Sequence, residues 1–400
     1  MSDVFIIGAG CSVPYGFPTG ATLMQKLKDF DYGEKFPRGA VSFLDDLYQE
    51  YLGNSNADDK GKYGTNYAWI SQFSEYNDIY YHLMDKIVLP FSQNIRNSMM
   101  VSTDEFLKNR LGQKQSEQAD FGKRLIAREI LIAEKESEKQ FSYEDGKRIS
   151  KKEWLGNIDW IQHLLSRIDQ QQENWEEILK QTVFLTFNYD RVLEYCIFLY
   201  LTSDKQYADA AAHDFINGMQ IHHVNGFIGP LEEIPFGAVE NGKYQEIAKG
   251  METVWEKRQN PDKSEKEKYQ GFLKNAQRVY FMGFSYIPDN LKSIGIDRGA
   301  EIIRYAKVYA TAMGMSPQNR LRVSTNLDLM DFEKINEPEP MPEIEVQYEP
   351  FKNSFMRRQE YKQKQKSLKD QAKSRQIRYE NRILKDASAV DLILDYYTFA

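Results

Sequence analysis

The stretch of the sequence best suited to chemistry is a glycine-rich turn that follows an apolar run at residues 4–7. Gly8 and Gly10 have no Cβ, so the backbone can turn sharply there and approach a phosphate group closely. The N–H groups that follow, and a helix N-terminus beyond them, could then face a pyrophosphate. Only half of the G-x-G-x-x-G dinucleotide pattern is kept, because Val13 stands where the third glycine belongs. This disfavours an ordinary dehydrogenase and leaves two interpretations: a different nucleotide site, or a turn that binds nothing.

Polar side chains also follow three later apolar runs of the chain. In chain order these groups are Asn188 with Asp190, then His222, His223, Asn225 and Gly226, and finally Gly283 with Ser285. The carboxyl ends of parallel strands share one edge of an open α/β sheet, and such sheets bind their ligands at that edge. We therefore expect these groups to meet the glycine-rich turn in a single site.

Short buried strands joined by helices would carry these groups. The run at residues 182–186 is apolar and rich in β-branched residues, which is typical of a strand covered on both faces of a parallel sheet. Residues 21–30 and 191–201 have apolar side chains at helical spacing directly after two of the turns. The sequence therefore predicts an α/β fold with a Rossmann-like, doubly wound parallel sheet.

The rest of the chain divides by composition around a core made of residues 1–30 and 180–330. Helical periodicity dominates residues 31–179, which predicts a large, mainly helical insertion. Residues 331–350 combine prolines with acidic residues and predict an extended linker. Residues 351–400 predict a charged helical tail whose apolar end docks on the same chain, on another subunit or on a partner.

Charge and cysteine content narrow the possible functions. The 400 residues carry a formal net charge of -7 at pH 7, which argues against direct nucleic-acid binding because that draws on clustered Lys and Arg. Cys11 and Cys196 are the only cysteines, so neither a disulfide framework nor a four-thiolate zinc site can form. The sequence shows neither a membrane span nor a signal peptide. We expect a cytoplasmic protein without a metal site or a membrane contact.

Three motifs in the right order resemble the sirtuin superfamily, and specifically its branch in bacterial defence. GAGCS followed by GFPTG, within residues 8–20, resembles the GAG-[AS]-S and G-[IF]-P pattern of that superfamily. TFNYDRVLE at residues 186–194 resembles its T-x-N-[YI]-D-x-x-[LF]-E motif. MGFSY at residues 282–286 resembles the late glycine and serine motif that meets the ribose. The agreement covers roughly residues 1–30 and 180–290, and it does not extend to the insertion or the tail.

The resemblance implies that the chain binds NAD and cleaves its nicotinamide-ribose bond. The binding residues that it implies are Gly8, Ala9, Gly10, Cys11, Ser12, Phe17, Pro18, Thr19, Gly226, Gly283, Phe284 and Ser285. Cleavage passes through an oxocarbenium-like state, so the site must hold the ribose and stabilise positive charge. Asn188 would orient the ribose or an attacking water, and Asp190 would favour the cation or fix its neighbours. Thr19 stands where the deacylases of the superfamily have an acid that touches nicotinamide.

The general base is the point at which this sequence departs from the family. The family places a histidine directly before the glycine of this strand end, whereas Asn225 precedes Gly226 here. Because side chains alternate along a strand, His223 should share a face with Asn225 while His222 points away. We therefore predict that His223 is the general base and that Asn225 helps to position water or ribose. The alternative is that both histidines are structural and the enzyme is impaired or uses water alone.

The activity that the resemblance implies is NAD+ glycohydrolysis, which yields nicotinamide and ADP-ribose or a cyclised product. Related proteins deplete NAD during anti-phage defence by abortive infection, often as homo-oligomers and often beside a HerA-like ATPase or a short Argonaute. The zinc module of protein-deacylating sirtuins needs two cysteine pairs, which this chain lacks. NAD-dependent protein deacylation is thus a weaker alternative, and a non-catalytic NAD or ADP-ribose sensor within a defence complex is another.

Overall fold

Seven parallel strands form a sheet through the centre of the protein. Its structure is a computed structural model that describes residues 2–30, 32, 83–100, 102–112, 115–141, 143–144, 147–148, 159–238, 244–251, 256, 263–296, 301–331 and 382–397. The strands of the sheet are β1 (Ser2–Ile7), β2 (Val183–Thr186), β3 (Gln220–His223), β4 (Ala276–Met282), β5 (Lys307–Thr311), β6 (Met330–Asp331) and β7 (Arg382–Lys385). A short antiparallel hairpin pairs Tyr143–Glu144 with Lys147–Arg148.

The strands lie in the order β3-β2-β1-β4-β5-β7-β6, and every pairing in the sheet is parallel. The sheet grows from β1 in both directions, through β2 to β3 on one side and through β4 to β5 on the other. This is the doubly wound strand order of dinucleotide-binding α/β proteins, so the predicted Rossmann-like α/β fold is confirmed. The chain adds β2 and β3 on one side of β1 and then crosses over to add β4 on the other side. This change of direction leaves a crevice between the carboxyl ends of β1 and β4.

Alternate side chains of the central strands enter two apolar layers. Phe5 and Ile7 of β1 belong to the core on one face, and Val4 and Ile6 belong to the core on the other. All four side chains are almost inaccessible to water. Burial of both faces explains why the strands have continuous apolar runs instead of alternating polar and apolar residues.

Helices cover both faces of the sheet. They are α1 (Gly20–Asp29), α2 (Leu89–Arg96), α3 (Thr103–Gly112), α4 (Ser116–Phe141), α5 (Trp160–Asp169), α6 (Trp175–Gln181), α7 (Val192–Leu199), α8 (Asp209–Asn217), α9 (Tyr244–Gly250), α10 (Lys263–Asn275), α11 (Pro288–Ser293), α12 (Pro317–Leu327) and α13 (Ala389–Tyr396). Short 3-10 turns follow β1, at Ala9–Cys11 and Val13–Tyr15. None of the helices among the described residues has the length and apolar character needed to cross a membrane.

Side-chain caps mark where five of these helices begin, namely α1, α3, α5, α12 and α13. Thr19 and Thr22 form a capping box at the start of α1, and Ser388 and Asp391 form another at the start of α13. At α3 the Oγ of Ser102 accepts a hydrogen bond of 3.3 Å from the backbone N–H three residues later. Each cap satisfies an N–H that the first turn of a helix would otherwise leave unpaired.

The described part of the predicted insertion is helical, apart from the hairpin, and it shares an apolar core with one face of the sheet. A buried ion pair joins the two parts: Arg191, next to α7, lies 2.7 Å from Glu134 of α4, and neither side chain is exposed. The Arg191 guanidinium also donates to the carbonyl oxygen of Gly229 at 3.0 Å. Residues 33–82 of the predicted insertion lie outside the described residues.

The C-terminal segment belongs to the sheet, which corrects the prediction of an appended helical tail. Residues 382–385 form β7 between β5 and β6. The Arg382 guanidinium anchors this strand by donating to the carbonyl oxygens of Asp328 at 2.9 Å and Leu327 at 2.7 Å. A four-residue strand that begins with Arg and ends with Lys is too short and too polar to show a strand pattern. The predicted linker beyond Asp331 and the first part of the tail, residues 332–381, lie outside the described residues.

The apolar end of the chain docks on the chain itself. The Arg167 guanidinium of α5 donates to the carbonyl oxygen of Leu394 in α13 at 2.7 Å. The Tyr280 hydroxyl of β4 donates to the carbonyl oxygen of Tyr396 at 3.2 Å. These contacts and the burial of Leu392 make α13 part of the core.

Candidate functional site

A cavity of about 700 Å³ lies at the carboxyl edge of the sheet. Its walls come from the ends of β1, β2, β4 and β5, from α3, and from the N-termini of α1 and α13. The residues predicted from the sequence that line it are Gly8, Ala9, Gly10, Thr19, Asn188, Asn225, Gly283, Phe284 and Ser285. The fold therefore brings the glycine-rich turn, the two asparagines and the late glycine and serine motif into one site.

The glycines of the turn are needed for packing between two loops of the protein. A Cβ on Gly8 would lie 2.5 Å from the carbonyl oxygen of Gly283, and a Cβ on Gly10 would lie 2.9 Å from the Cα of Gly283. Gly283 itself has a φ of +55°, and its Cβ would lie 2.3 Å from the backbone nitrogen of Cys11. The sequence predicts glycine here so that the backbone can approach a pyrophosphate. In the structure, glycine is required because the loops after β1 and β4 touch backbone to backbone. Gly8 and Gly10 still line the cavity.

Three residues predicted to bind NAD lie behind the cavity wall. Cys11, Ser12 and Phe17 are buried, and they are not among the residues that line the cavity. Burial, with a smaller contribution from the charge of Asp190, raises the pKa of the Cys11 thiol far above its ordinary value. Pro18 precedes Thr19, whose hydroxyl caps α1 at the cavity wall.

Asn188 has the most constrained side chain of the site. Its Nδ2 donates to Ser12 Oγ at 2.9 Å and to the carbonyl oxygen of Gly8 at 3.3 Å. Its Oδ1 is buried and has no hydrogen-bond partner among the residues that the structure describes. Because both amide hydrogens are committed to the protein, the amide oxygen is the atom of this side chain that is left to accept a hydrogen bond.

Asp190 supports Asn188 from behind the wall. Ser12 Oγ donates to Asp190 Oδ1 at 3.1 Å, and the same oxygen accepts the backbone N–H of Val192 at 3.3 Å. Burial raises the pKa of Asp190 to about 7, although these hydrogen bonds act to lower it. Asp190 is thus linked to the cavity through Ser12 and Asn188.

Asn225 brings a second amide side chain to the wall of the same cavity. Its side chain is 3 % exposed, and its Oδ1 also has no hydrogen-bond partner among the described residues. The turn that places it requires glycine next: Gly226 has a φ of +72°, and a Cβ there would lie 1.9 Å from the carbonyl oxygen of Gly250. Gly226 thus shapes the turn and lines a different cavity.

His223 lies on the other side of this turn from Asn225. It lines a second cavity of about 460 Å³, together with His222, Glu194 and Gly226. The prediction that His223 and Asn225 share a face is wrong, because β3 ends at His223 and the chain then turns. His223 Nε2 lies 2.5 Å from Glu194 Oε1, and its Nδ1 lies 2.9 Å from the backbone oxygen of Asn188.

His222 also lines the second cavity. Its ring stacks against Phe272 with the centroids 5.2 Å apart. Its Nε2 lies 3.3 Å from the side-chain oxygen of Gln220. Burial lowers the pKa of His222 to about 4, so this ring is neutral at neutral pH.

The insertion contributes charged residues to the first cavity that no motif of the sequence indicates. Asp104, Glu105 and Lys108 of α3 line it. The Tyr189 hydroxyl donates to Asp104 Oδ1 at 3.1 Å, so the residue after Asn188 holds this carboxylate in place. Burial raises the pKa of Asp104, and the hydrogen bond from Tyr189 partly opposes this effect. The sequence marks the start of α3 by its cap at Ser102, but a cap does not show which wall a helix will form.

Within the described ranges, no group of three or more His, Cys, Asp or Glu side chains could hold a metal ion. Neither thiol is paired in a disulfide: Cys11 is buried and Cys196 is half-buried.

Searches of protein-family models and of curated proteins found no match to this chain. The likeness to the sirtuin superfamily therefore rests on the three sequence motifs alone.

Proposed function

We propose that the chain binds NAD+ in the first cavity and cleaves its nicotinamide-ribose bond. The observation that carries this proposal is that Asn188 and Asn225 line one cavity, while the Oδ1 of each is buried without a protein partner in the described structure. A buried polar atom without a partner costs free energy, on the order of 1–3 kcal/mol. A bound ribose or water that donates hydrogen bonds to these oxygens removes that cost.

The cavity suits a dinucleotide in size and position. Its volume of about 700 Å³ lies within the range of small-molecule sites, roughly 300–1,000 Å³. The N-terminus of α1 borders it at Thr19 and Gly20, and a helix N-terminus favours a phosphate through its dipole and its N–H groups. The crevice between β1 and β4 is where this class of sheet binds dinucleotides.

The charges around the cavity favour a positively charged reacting group. Asp104, Glu105 and Asp289 line it, against a single lining cation, Lys108, among the described residues. NAD+ carries a pyridinium, and the sugar becomes cationic as the bond to nicotinamide breaks. Carboxylates and amide oxygens already in place would stabilise that charge as it develops.

The chemical step needs a positioned water more than a strong base. The electron pair of the C1′–N bond leaves with nicotinamide, which departs as a neutral molecule and needs no acid. A water oxygen then bonds to C1′, and its proton passes to solvent. Asn188, held by Ser12 and Gly8, would fix the ribose or this water from one side, and Asn225 would do so from another.

Release of nicotinamide from NAD+ by the purified full-length chain tests the proposal. Asn188→Ala should lower the rate by at least about 10²-fold, the usual effect of losing a positioned polar group that stabilises a transition state. NAD+ should still raise the melting temperature of this variant, because the rest of the cavity is unchanged. Asn275→Ala is the matched control, since this asparagine is exposed beside the amino end of β4. An Asn188→Ala variant as active as the parent would refute the proposal.

A non-catalytic NAD or ADP-ribose sensor is the second candidate. It is favoured by one observation: His223, the predicted base, lines the other cavity and has both ring nitrogens against protein oxygens. The sensor predicts that NAD+ or ADP-ribose raises the melting temperature while no nicotinamide is released. Depletion of NAD in phage-infected cells, the role implied by the motifs, applies only if release is found.

A further inference from the structure

We infer that His223 is a positioning residue that holds Asn188 through its backbone carbonyl, with Glu194 as its anchor, and that it is not the general base. This inference rests on the proposed function for its catalytic meaning, whereas the contacts themselves do not depend on it. It assigns a part in the reaction to Glu194, the last residue of the TFNYDRVLE motif.

Both ring nitrogens of His223 face oxygen acceptors. Nε2 lies 2.5 Å from the Glu194 carboxylate, and Nδ1 lies 2.9 Å from the carbonyl oxygen of Asn188. A neutral imidazole has only one N–H, so it would set a nitrogen lone pair against one of these oxygens; the imidazolium donates to both. A ring that already carries both protons cannot accept one from water.

The surroundings keep the ring in this position. The side chains of His223 and Glu194 are 6 % and 10 % exposed. The Phe227 ring stacks on the imidazole, with the centroids 4.4 Å apart and the planes 15° from parallel. A charge pair so poorly exposed to water is stable only while both members stay charged and hydrogen-bonded.

The loop between β2 and α7 links His223 to the reacting groups. Asn188 lies between β2 and α7, and Glu194 lies in the first turn of α7. The amide of Asn188 is held by Ser12 and Gly8, while its carbonyl is held by His223. Asn188 is thus fixed through both its side chain and its backbone. His223, which holds the backbone carbonyl, lines the second cavity.

Several charged or titratable groups surround the imidazole. Glu194 and Arg191 belong to the α7 side, and Asp190 lies in the loop after β2. His222 is its neighbour on β3, and His213 of α8 and Glu265 of α10 line the same cavity. Burial acts to lower the pKa of His223, but the charge and hydrogen bond of Glu194, with smaller effects of Asn188 and Asp190, raise it above its ordinary value.

NMR of histidine-selectively labelled protein tests the charge state without any need for activity. The chain has only five histidines, and the His223 signal is assigned by its absence from His223→Gln. We expect a doubly protonated ring at neutral pH that loses its proton as the pH is raised, while His222 stays neutral as the internal reference. A neutral His223 ring at neutral pH would overturn the inference.

The pH dependence of nicotinamide release gives the opposite sign for the two roles. A general base becomes active as it loses its proton, so the rate would rise with pH through the pKa of His223. A positioning imidazolium is intact at low pH, so the rate should instead fall as the pH passes the raised pKa. Asp190 also titrates near neutrality, and we expect the alkaline fall to persist in Asp190→Asn. A rate that rises with pH in both proteins, or a fall that Asp190→Asn abolishes, would contradict the inference.

Two substitutions at Glu194 separate charge from shape. Glu194→Gln should lower kcat on the order of 10²-fold, because a small misplacement of a reacting group has an effect of that size, with little change in KM. Glu194→Asp keeps the charge and should recover part of the loss, and His222→Gln should behave as the parent. Equal activity of Glu194→Gln and the parent would refute the positioning role. If the parent releases no nicotinamide, the proposed function fails, and the NMR result alone decides whether His223 is the charged anchor.

Discussion

Replacing Asp190 by asparagine should stabilise the protein at neutral and alkaline pH. This carboxyl is buried behind the site, and it accepts hydrogen bonds from Ser12 and from the backbone of Val192. Asparagine has nearly the same shape as the protonated acid and keeps an oxygen for both donors. The substitution therefore removes a buried charge while it keeps the contacts.

The expected gain follows from the pKa of Asp190. Burial raises that pKa from an ordinary 3.8 to about 7, so the folded protein binds a proton more tightly than the unfolded chain does. The stability of the parent should consequently fall as the pH rises from about 4 to about 7 and change little above that. Each pKa unit corresponds to about 1.4 kcal/mol, which makes the difference between parent and variant about 4 kcal/mol at pH 7 and above.

Urea denaturation of the parent and of Asp190→Asn between about pH 4 and pH 8.5 measures this difference. The free energies of unfolding should nearly coincide at the acidic end and diverge as the pH rises, with the variant the more stable protein. Taking the difference between the two proteins cancels the other titrating groups. A constant difference across this range, or a variant that is less stable at pH 8, would show that Asp190 is charged and well paired in the native state.

Three further perturbations, the first of them with a matched control, test the fold that holds the site. Gly283→Ala places a Cβ about 2.3 Å from the nitrogen of Cys11 at a φ of +55° and should lower the free energy of unfolding by more than about 3 kcal/mol. Gly271→Ala, in open space within α10, should be neutral or slightly stabilising in the same urea titration. Glu134→Ala leaves the buried Arg191 without its carboxylate and should destabilise by about 3–5 kcal/mol, a prediction refuted by an unchanged denaturation midpoint. A chain that ends before residue 382 loses β7 and α13; it should show no cooperative thermal transition by circular dichroism, and a native-like transition would show that these elements are dispensable.

Local pattern in the sequence is enough to predict the main strands and their polar ends. The apolar runs at residues 4–7 and 182–186 form adjacent buried strands, paired in register from Val4 with Val183. Strands of this kind have a continuous apolar signal because both faces are covered, and helices are recognised by their spacing and caps. A parallel sheet brings the polar residues after each strand to one edge, so local pattern and this general rule together predict that Asn188 lies near the glycine-rich turn.

Only the tertiary structure decides which of the predicted site residues line the cavity and which contacts place them there. His223 and Asn225 are two residues apart, but a turn closed by Gly226 sends them to different cavities. Gly8 is glycine because another loop of the protein touches it, and no local pattern reveals a neighbour from 275 positions along the chain. Contacts between segments distant in sequence also place Asp104 beside Tyr189.

Strand β7 illustrates the same limit, because its four residues become a strand only between β5 and β6. The sequence by itself determined the elements and the residues that could do chemistry, since periodicity and turn residues act over a few positions. The faces, the partners and the protonation states of those residues depend on packing across the whole chain, which only the tertiary structure decides.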